Sequence, residues 1–569
     1  MSAVGRVEAH PLTAAPAWAL PRRISERWTL AGVLALAALL RGAGLAGTPL
    51  NPFYDAAVRS MGHSWHDLLT GALDPSGQVA IDKPPVDLWL QVASTRLLGF
   101  DTVGLLAPGI LGGVAAVALL YDLVRTLAGR RAATVAAAAF AVLPLDVITS
   151  RSDTMDSVMS ATVLGALAVT ARGARSGRVS RVVLGGALVG LAFEVKLFEA
   201  LPAAVPLAVL WLAGATGLSR GRRAAGLGGA AAAAITVGLL WLVVLSVAVP
   251  AGQRPWAFGA ANGSAWRATF VYNGWERLTG GARLASSRVP AAAHGTVPAA
   301  AGPGRLVSRQ DGLLGRLGLE LAAAWAVLVA VAALKAWRPL SPTGRAGLAA
   351  MAAWLALGTV LFSAQAAFRP RYAEAFAGSV AAVLGIGAVQ ASAALRGRRG
   401  APVIAGAAGI MVVSLAISVT AVGAHAEDAG TLGAMPPARV ARLSAFLRDH
   451  QDGARYEAAD AAVTKAAALI AADGRPQLLL NADRGRPLVG PARLAAAAAG
   501  GAVRFGVVDS GCTHAAPVRS DGCSAAARWI RGHGVDVSRA AGQPRGVVYR
   551  LPTRRTAAGA AAVGGLHGR

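Results

Sequence analysis

"VGLLAPGILGGVAAVALLYDLVRTLAGRR", residues 103–131, decides the fold. From Val103 to Tyr121 no residue is charged, and the stretch runs out at the pair Arg130 and Arg131. An uncharged run of this length is enough for one helix to cross a hydrocarbon layer about 30 Å thick. Paired arginines at one end mark the cytoplasmic side, because basic loops are retained there. The same pattern recurs from residue 29 to about residue 424. The chain has 569 residues, 55% of them hydrophobic and 15% charged, with a mean hydropathy of +0.51. Soluble domains carry about 25% charged residues. The fold class expected is therefore an all-α polytopic membrane domain.

Eleven spans are expected, at roughly 29–47, 103–127, 132–148, 157–171, 182–196, 198–216, 225–249, 317–337, 346–367, 374–394 and 402–424. A formal charge of +26 raises nucleic-acid binding, but the position of the arginines argues against it. They cluster in short gaps (Arg172, Arg175, Arg178 and Arg181; Arg220, Arg222 and Arg223; Arg396, Arg398 and Arg399) that alternate with gaps poor in Lys and Arg. That is the positive-inside pattern. Arg6, Arg22, Arg23 and Arg27 precede the first apolar run, as in an uncleaved first helix whose N-terminus is cytoplasmic. Residues 1–27 are read as a cytoplasmic tail and 28–424 as the membrane domain. An odd number of spans puts residues 425–554 outside the cell membrane, with a flexible tail at 555–569. The outer segments are then 48–102, 148–156, the turn at 196–197, 250–316 and 368–373, and they hold most of the polar residues with chemical potential.

Residues 425–569 change character. An amphipathic helix begins at "LSAFLRDHQDG", and "PQLLLN", "VRFGVVD" and "GVVYRL" read as short buried strands of a small α/β domain. Both cysteines, Cys512 and Cys523, fall here. An oxidising compartment favours a disulfide between them, with two unpaired thiols as the alternative. Their spacing excludes a metal site of the C-x₂-C kind.

Several outer residues call for an account. The first segment carries Asp55, Asp74, Asp82 and Lys83, the last followed by Pro84-Pro85, with His63, His66, Trp65 and Trp89 interleaved. The tryptophans read as interface anchors, and the histidines lack partners at ligand spacing. A carboxylate near the hydrocarbon boundary is costly unless paired or used. "TSRSDTMDSVM" holds Arg151, Asp153 and Asp156 in a very short loop. Asp156 stands where a helix dipole favours an anion, and Asp153 reads equally well as an N-cap. Lys83, Lys196 and the pair Arg369 and Arg371 offer cations from three separated outer turns. Snorkelling explains any one of them; their convergence points to an anionic ligand at the outer face.

"NPFYDAAVRSM", "DPSGQVAIDKPPVDLW", "SRSDTMDSVM" and "RPWAFGAANGSAWRATFVYNGWERLTG" carry a resemblance. They are similar to the bacterial mannosyltransferase branch of glycosyltransferase family 39, itself related to protein O-mannosyltransferases and to lipid A aminoarabinose transferases. The likeness runs from about residue 28 to the end. It implies a C-type glycosyltransferase fold whose first outer loop forms juxtamembrane helices. It also implies transfer of a sugar, mannose among the candidates, from a polyprenyl-phosphate carrier to a lipid, glycan or protein acceptor outside the membrane, with inversion at the anomeric carbon. No cofactor is implied and divalent-metal dependence is left open; the donor is a lipid, so no nucleotide loop is needed. The carboxylate of the first loop would act as base. Relatives often have Asp-Glu there and this chain has "NPFYDAA", so the role falls to Asp55 or to a neighbour. Lys83, before its rigid proline pair, would meet the carrier phosphate with Arg151, Lys196, Arg369 and Arg371. Asp156 would orient the acceptor or balance the cations, and Asp82, Asn262 and Tyr272 complete the expected substrate-binding set. A transporter would show paired repeats and midplane charges, which are not seen; a non-catalytic sugar-lipid or cell-wall binding protein of the same fold is the alternative.

Overall fold

The computed structural model describes residues 22–279, 300–395, 399–430, 432–483, 486–509, 512 and 523–553. Residues 1–21 of the expected tail, 280–299 of the segment 250–316, and the expected flexible tail 555–569 lie outside the described residues.

Among the described residues, seven helices are long and apolar enough to cross a membrane, or nine if each of two bent pairs is one span. Both bends have local causes. Arg130–Ala141 and Pro144–Ser150 meet at 58°, where Pro144 has no N–H to continue the ladder. Arg220–Gly238 and Leu240–Ala248 meet at 44° across Leu239, whose ψ of 0° leaves the helical range. The sequence expectation of eleven divides the same apolar chain more finely. It counts the short Trp28–Gly42 helix, and it splits the 36-residue stretch Val179–Gly214 in two. At 1.5 Å per residue a straight helix of that length would reach about 54 Å, well beyond the hydrocarbon layer. The stretch breaks at Leu197, where φ is 56° and ψ is −131°.

Close helix contacts rest on small residues. A Cβ at Gly190 would fall 2.4 Å from the Ala234 carbonyl, so the Val179–Lys196 and Arg220–Gly238 backbones touch. Such approach is how helices associate in lipid, where burying apolar area adds no driving force. Ala401–Gly423 lies at the rim, only 11% of its apolar window buried. Arg41 and Asp146 form a fully buried ion pair between the first helix and the Pro144–Ser150 bend. Arg41 also donates to the carbonyls of Ala37 (3.1 Å) and Ala141 (3.0 Å), which meets the demand of a buried charge for partners.

Residues 48–102 form a platform of short helices, Pro52–Met61, Trp65–Thr70 and Val86–Leu98. Between them a two-residue strand, Val79–Ala80, pairs in parallel with Trp256–Ala257. Asp74 shapes the turn before that strand by accepting from the N–H groups of Ser76 (3.0 Å), Gln78 (3.1 Å) and Val79 (2.9 Å). Burial nevertheless pushes its pKa up to about 6. Helix Ala265–Arg267 runs into a π-helical stretch, Ala268–Trp275.

The C-terminal residues form a helix, Pro437–His450, and a five-stranded sheet in the order Leu478–Leu479, Ala459–Asp460, Phe505–Val507, Val548–Arg550, Val535–Asp536. The first three strands are parallel, and Val548–Arg550 runs antiparallel to both of its neighbours. Cys512 and Cys523 are joined by a disulfide, with Cα atoms 4.9 Å apart. Helix Val463–Asp473 lies along Pro52–Met61. Arg59 donates to the Ala471 carbonyl at 3.1 Å, and Ser76 and Gln78 donate to the Gln477 carbonyl at 3.0 and 2.8 Å. Val463, Ala466, Ala467 and Ile470 are fully buried in the same core as Phe53 and Ala57.

Candidate active site

Where the platform meets the membrane helices, a pocket of ≈ 900 Å³, counting its open mouth, is lined by five cationic side chains. Lys83 comes from the proline corner, Lys196 from the break at Leu197, Arg277 from the end of the π-helix, and Arg369 and Arg371 from the turn before Glu374–Leu395. Asp82 and Glu199 are the lining carboxylates, so cations outnumber them.

Each cation is held in place. Pro85 stands at the N-cap of Val86–Leu98 and fixes where the preceding residues turn. Lys83 Nζ donates to the Tyr54 hydroxyl at 3.0 Å and lies 3.2 Å from Asp82 Oδ1. Burial opposes the Lys83 charge, but Asp82 and Tyr54 outweigh it and hold the ammonium above the usual lysine range. Arg277 donates to the Tyr372 hydroxyl (2.9 Å) and to Asn273 Oδ1 (2.9 Å), and approaches Asp82 Oδ2 at 3.5 Å. Asn273 in turn donates to the Asp82 carbonyl at 2.6 Å, which locks the π-helix to the corner. Lys196 pairs with Asp156, and Arg371 Nε lies 3.9 Å from the same carboxylate. Arg371 also grips the main chain just after the last membrane helix, through the carbonyls of Asp428 and, at 3.1 Å, Ala429. Ala429, Gly430 and Leu432 complete the wall.

Asp55 occupies the first turn of Pro52–Met61, behind the helix's Asn51 cap and Pro52. It does not line the pocket; its neighbour Tyr54 does. Its carboxyl is hydrogen-bonded to Asp153. Burial, then the Asp153 charge, hold Asp55 well above the usual carboxylate range, and burial pushes Asp153 up to about 7. Two buried carboxyls this close disfavour each other's charge. Asp87 lies nearby, accepting from Gln91 Nε2 at 3.0 Å, and burial pushes it to about 7.

Lys83, Lys196, Arg369, Arg371, Asp82 and Tyr272 are thus brought together, with Asp156 immediately behind them. Three expectations fall elsewhere. Arg151 is fully buried and donates to the carbonyls of Leu40 (3.2 Å), Ala43 (2.8 Å) and Gly44 (3.2 Å), capping the first helix instead of facing the pocket. Asn262 lines a separate cleft, where its Oδ1 accepts from Ser264 N at 3.2 Å. Asp153 does not cap the following helix; Met155 holds that position without a side-chain bond, and Asp153 accepts from Asn51 N at 3.3 Å. Arg277, Tyr54 and Asn273 were missed. Arg277 and Asn273 stand in "YNGWERLTG", where a cation four residues after an amide, in a loop already suspected, was the available signal.

Residues 82–245 match the family model described as dolichyl-phosphate-mannose-protein mannosyltransferase. The chain is 34% identical over 230 residues to a Bacillus subtilis (strain 168) protein named "Putative mannosyltransferase YycA", covering 40% of this chain and 33% of that one. A second from the same organism, "Putative mannosyltransferase YkcB", is 29% identical over 231 residues, 41% of this chain and 32% of that one. The matched segment therefore spans about a third of the length of these relatives. ArnT from Cupriavidus metallidurans, solved bound to undecaprenyl phosphate, superposes with a TM-score of 0.52 at 15% identity over 82% of this chain and 86% of its own. The oligosaccharyltransferase AglB from Archaeoglobus fulgidus, solved with an inhibitory peptide and a dolichol-phosphate, gives 0.55 at 13% identity over 86% and 70%. At such identities it is the fold that is shared. Residues 82–245 are thus similar to the mannosyltransferase family, and the chain as a whole shares the fold of ArnT and AglB.

Proposed function

We propose that this protein transfers a sugar from a polyprenyl-phosphate carrier to an acceptor hydroxyl at the outer face of the cell membrane. The observation that carries the reading is the convergence of Lys83, Lys196, Arg277, Arg369 and Arg371 on one pocket at the edge of the membrane helices. Cations held in a partly dry site suit a phosphate whose charge grows as it leaves. ArnT's undecaprenyl phosphate and AglB's dolichol-phosphate are ligands of the same chemistry on the same fold. Mannose, named in the description of the family model, is the first sugar to try.

The acceptor oxygen attacks the anomeric carbon, the bond from that carbon to the phosphate oxygen breaks, and the configuration inverts. The electron pair of the broken bond goes to the carrier phosphate, where Lys83 and Arg277 stand closest to Asp82 and the corner. The acceptor's proton passes to the Asp55–Asp153 pair, which lies one residue behind the wall formed by Tyr54 and Thr154. A carboxyl whose pKa is lifted towards neutrality is matched to that task. Asp156 stabilises Lys196 and Arg371 and takes no proton in this scheme. Eleven spans, a cytoplasmic N-terminus and an external C-terminal unit complete the reading.

The test is release of polyprenyl phosphate from radiolabelled polyprenyl-phosphate mannose, glucose, galactose and arabinose by the purified protein. Turnover with one of them, lost in Lys83→Met, is the expected result. Tight carrier binding without turnover of any would favour a non-catalytic sugar-lipid binding protein, and absence of carrier binding would end both readings.

A further inference from the structure

Beside the cationic pocket lies a second cleft of ≈ 880 Å³, counting its open mouth, that holds three tryptophans, Trp241, Trp256 and Trp266. The two cavities share a wall. Ala80 and Ala257 line the second, while Asp82 and Phe258, just past the ends of the paired strands, line the first. The segment that leaves the ribbon therefore borders both cavities.

The tryptophans are fixed rather than loosely placed at an interface. Trp241 is 5% exposed and its Nε1 donates to the Leu69 carbonyl at 2.8 Å. Trp266 Nε1 donates to Ser246 Oγ at 2.9 Å, and its ring stacks on Phe270. Trp256 is backed by Gly263, which has a φ of 77°; a Cβ there would come within 2.8 Å of the indole, so only glycine lets the backbone cover that face. The Trp256 indole N–H is buried and has no hydrogen-bond partner among the described residues. A buried donor left unpaired is costly, and it asks for an acceptor from whatever fills the cleft. Arg254, Asn262 and Ser264 supply further polar groups on the same lining.

We infer that this cleft binds the sugar of a glycan acceptor, next to the donor phosphate. The ligand class rests on the transferase reading above; the cleft itself does not. A hexose presents an apolar C–H face, which packs on an indole, and a rim of hydroxyls, each donor and acceptor, which meets the Trp256 N–H, the Asn262 amide and the Arg254 guanidinium. A hydrocarbon chain would leave the buried Trp256 N–H unsatisfied. An interfacial anchor would keep its N–H towards headgroups, whereas here one indole is almost wholly buried and another has its N–H enclosed.

The experiment uses the full chain in detergent, with methyl mannoside, methyl glucoside and methyl galactoside as probes. Tryptophan-fluorescence quenching and saturation-transfer NMR report binding, and undecaprenyl phosphate binding is measured on the same samples. At least one glycoside should bind saturably to the wild type. Trp266→Ala, at a half-exposed position that does not threaten the fold, should raise its Kd by about tenfold through loss of stacking. Trp256→Phe, which keeps the ring and removes the N–H, should raise it by about fivefold. Undecaprenyl phosphate affinity should move less than about twofold in both, within the scatter expected for separate sites. The inference is overturned if no glycoside binds, if both variants bind glycoside as the wild type does, or if a Ser/Thr peptide occupies the cleft where no glycoside does. Loss of undecaprenyl phosphate binding by the wild type would instead sink the donor-pocket reading, and the glycoside curves would still decide the second cleft.

Discussion

Lys83→Met removes one ammonium from the pocket and keeps most of the stem. A phosphate oxygen about 4 Å from Lys83 would gain about 4 kcal/mol at the effective dielectric of about 20 suited to such sites. The carrier ester carries one negative charge before the bond breaks and two after, so a transition state with the bond half broken adds about half a charge and roughly 2 kcal/mol beyond the ground-state attraction. That attraction belongs to carrier binding. Asp82 adds to the loss: at present it lies 3.2 Å from Lys83 and 3.5 Å from Arg277, and with Lys83 gone it draws Arg277 away from the phosphate. The total falls in the range of about 2–4 kcal/mol seen for a lost electrostatic contact at a reacting group, or about 30- to 1,000-fold in kcat. Lys83→Arg should lie between the two, because a planar fork does not reproduce a point charge at a fixed corner. Release of labelled polyprenyl phosphate under saturating donor gives kcat, and carrier titration gives the binding part. Thermal stability should change little, since Lys83 contributes charge rather than packing. If Lys83→Met turns over within about threefold of the wild type, far less than a lost contact of this kind costs, Lys83 does not face the leaving phosphate.

Asp55→Asn should lower turnover by about 10² or more while carrier binding survives, and Asp153→Asn should move the rising limb of the pH–rate profile to lower pH, because Asp55 loses the neighbour that raises it; a limb that stays put excludes the pair as base. Asp460 is wholly buried, neither of its oxygens has a hydrogen-bond partner among the described residues, and burial lifts it from 3.8 to about 8. Its folded pKa lies above the unfolded one, so stability is greatest below pH 3.8 and falls as pH rises through about 8. Asp460→Asn should therefore raise the melting temperature most at pH 8.5, less at pH 5 and least below pH 3.8, and equal effects at pH 5 and pH 8.5 would refute the assignment. Cys512→Ser opens an 11-residue loop and should cost the C-terminal unit about 3 kcal/mol in the chain-entropy account, read by hydrogen exchange of the sheet. Reporter fusions should be active in a periplasm-dependent form after residue 430 and in a cytoplasm-dependent form after residue 222; the reverse pattern would place the pocket on the inner face.

The helices were legible because each leaves its own mark in a short window: an apolar run and an arginine stop. The bends were not. Pro144 marks a break, but whether the halves count as one span depends on where neighbours pack. Lys83 was legible for a local reason too, since a proline pair beside a lysine is a stiff corner whatever surrounds it. Its partners were not. Asp82 is gripped by Asn273 from 191 residues away, and Arg277 reaches Tyr372 across 95. Nothing in either window encodes such a meeting. Arg151 misled because a buried guanidinium that caps a helix and one that awaits a phosphate look alike in sequence. Their difference lies in three carbonyls of another segment.

The wall formed by Ala429, Gly430 and Leu432 bears on when the protein becomes competent during its synthesis. Every described membrane helix has been translated by Gly423, yet the cationic pocket still lacks one side. Arg371 reaches for carbonyls that do not yet exist, and Pro52–Met61 waits for Val463–Asp473 to cover its outer face. The pocket closes only after the chain has left the last helix and folded back over residues 48–102. A truncation at residue 424 would leave a bundle whose cationic pocket lacks the wall formed by Ala429, Gly430 and Leu432.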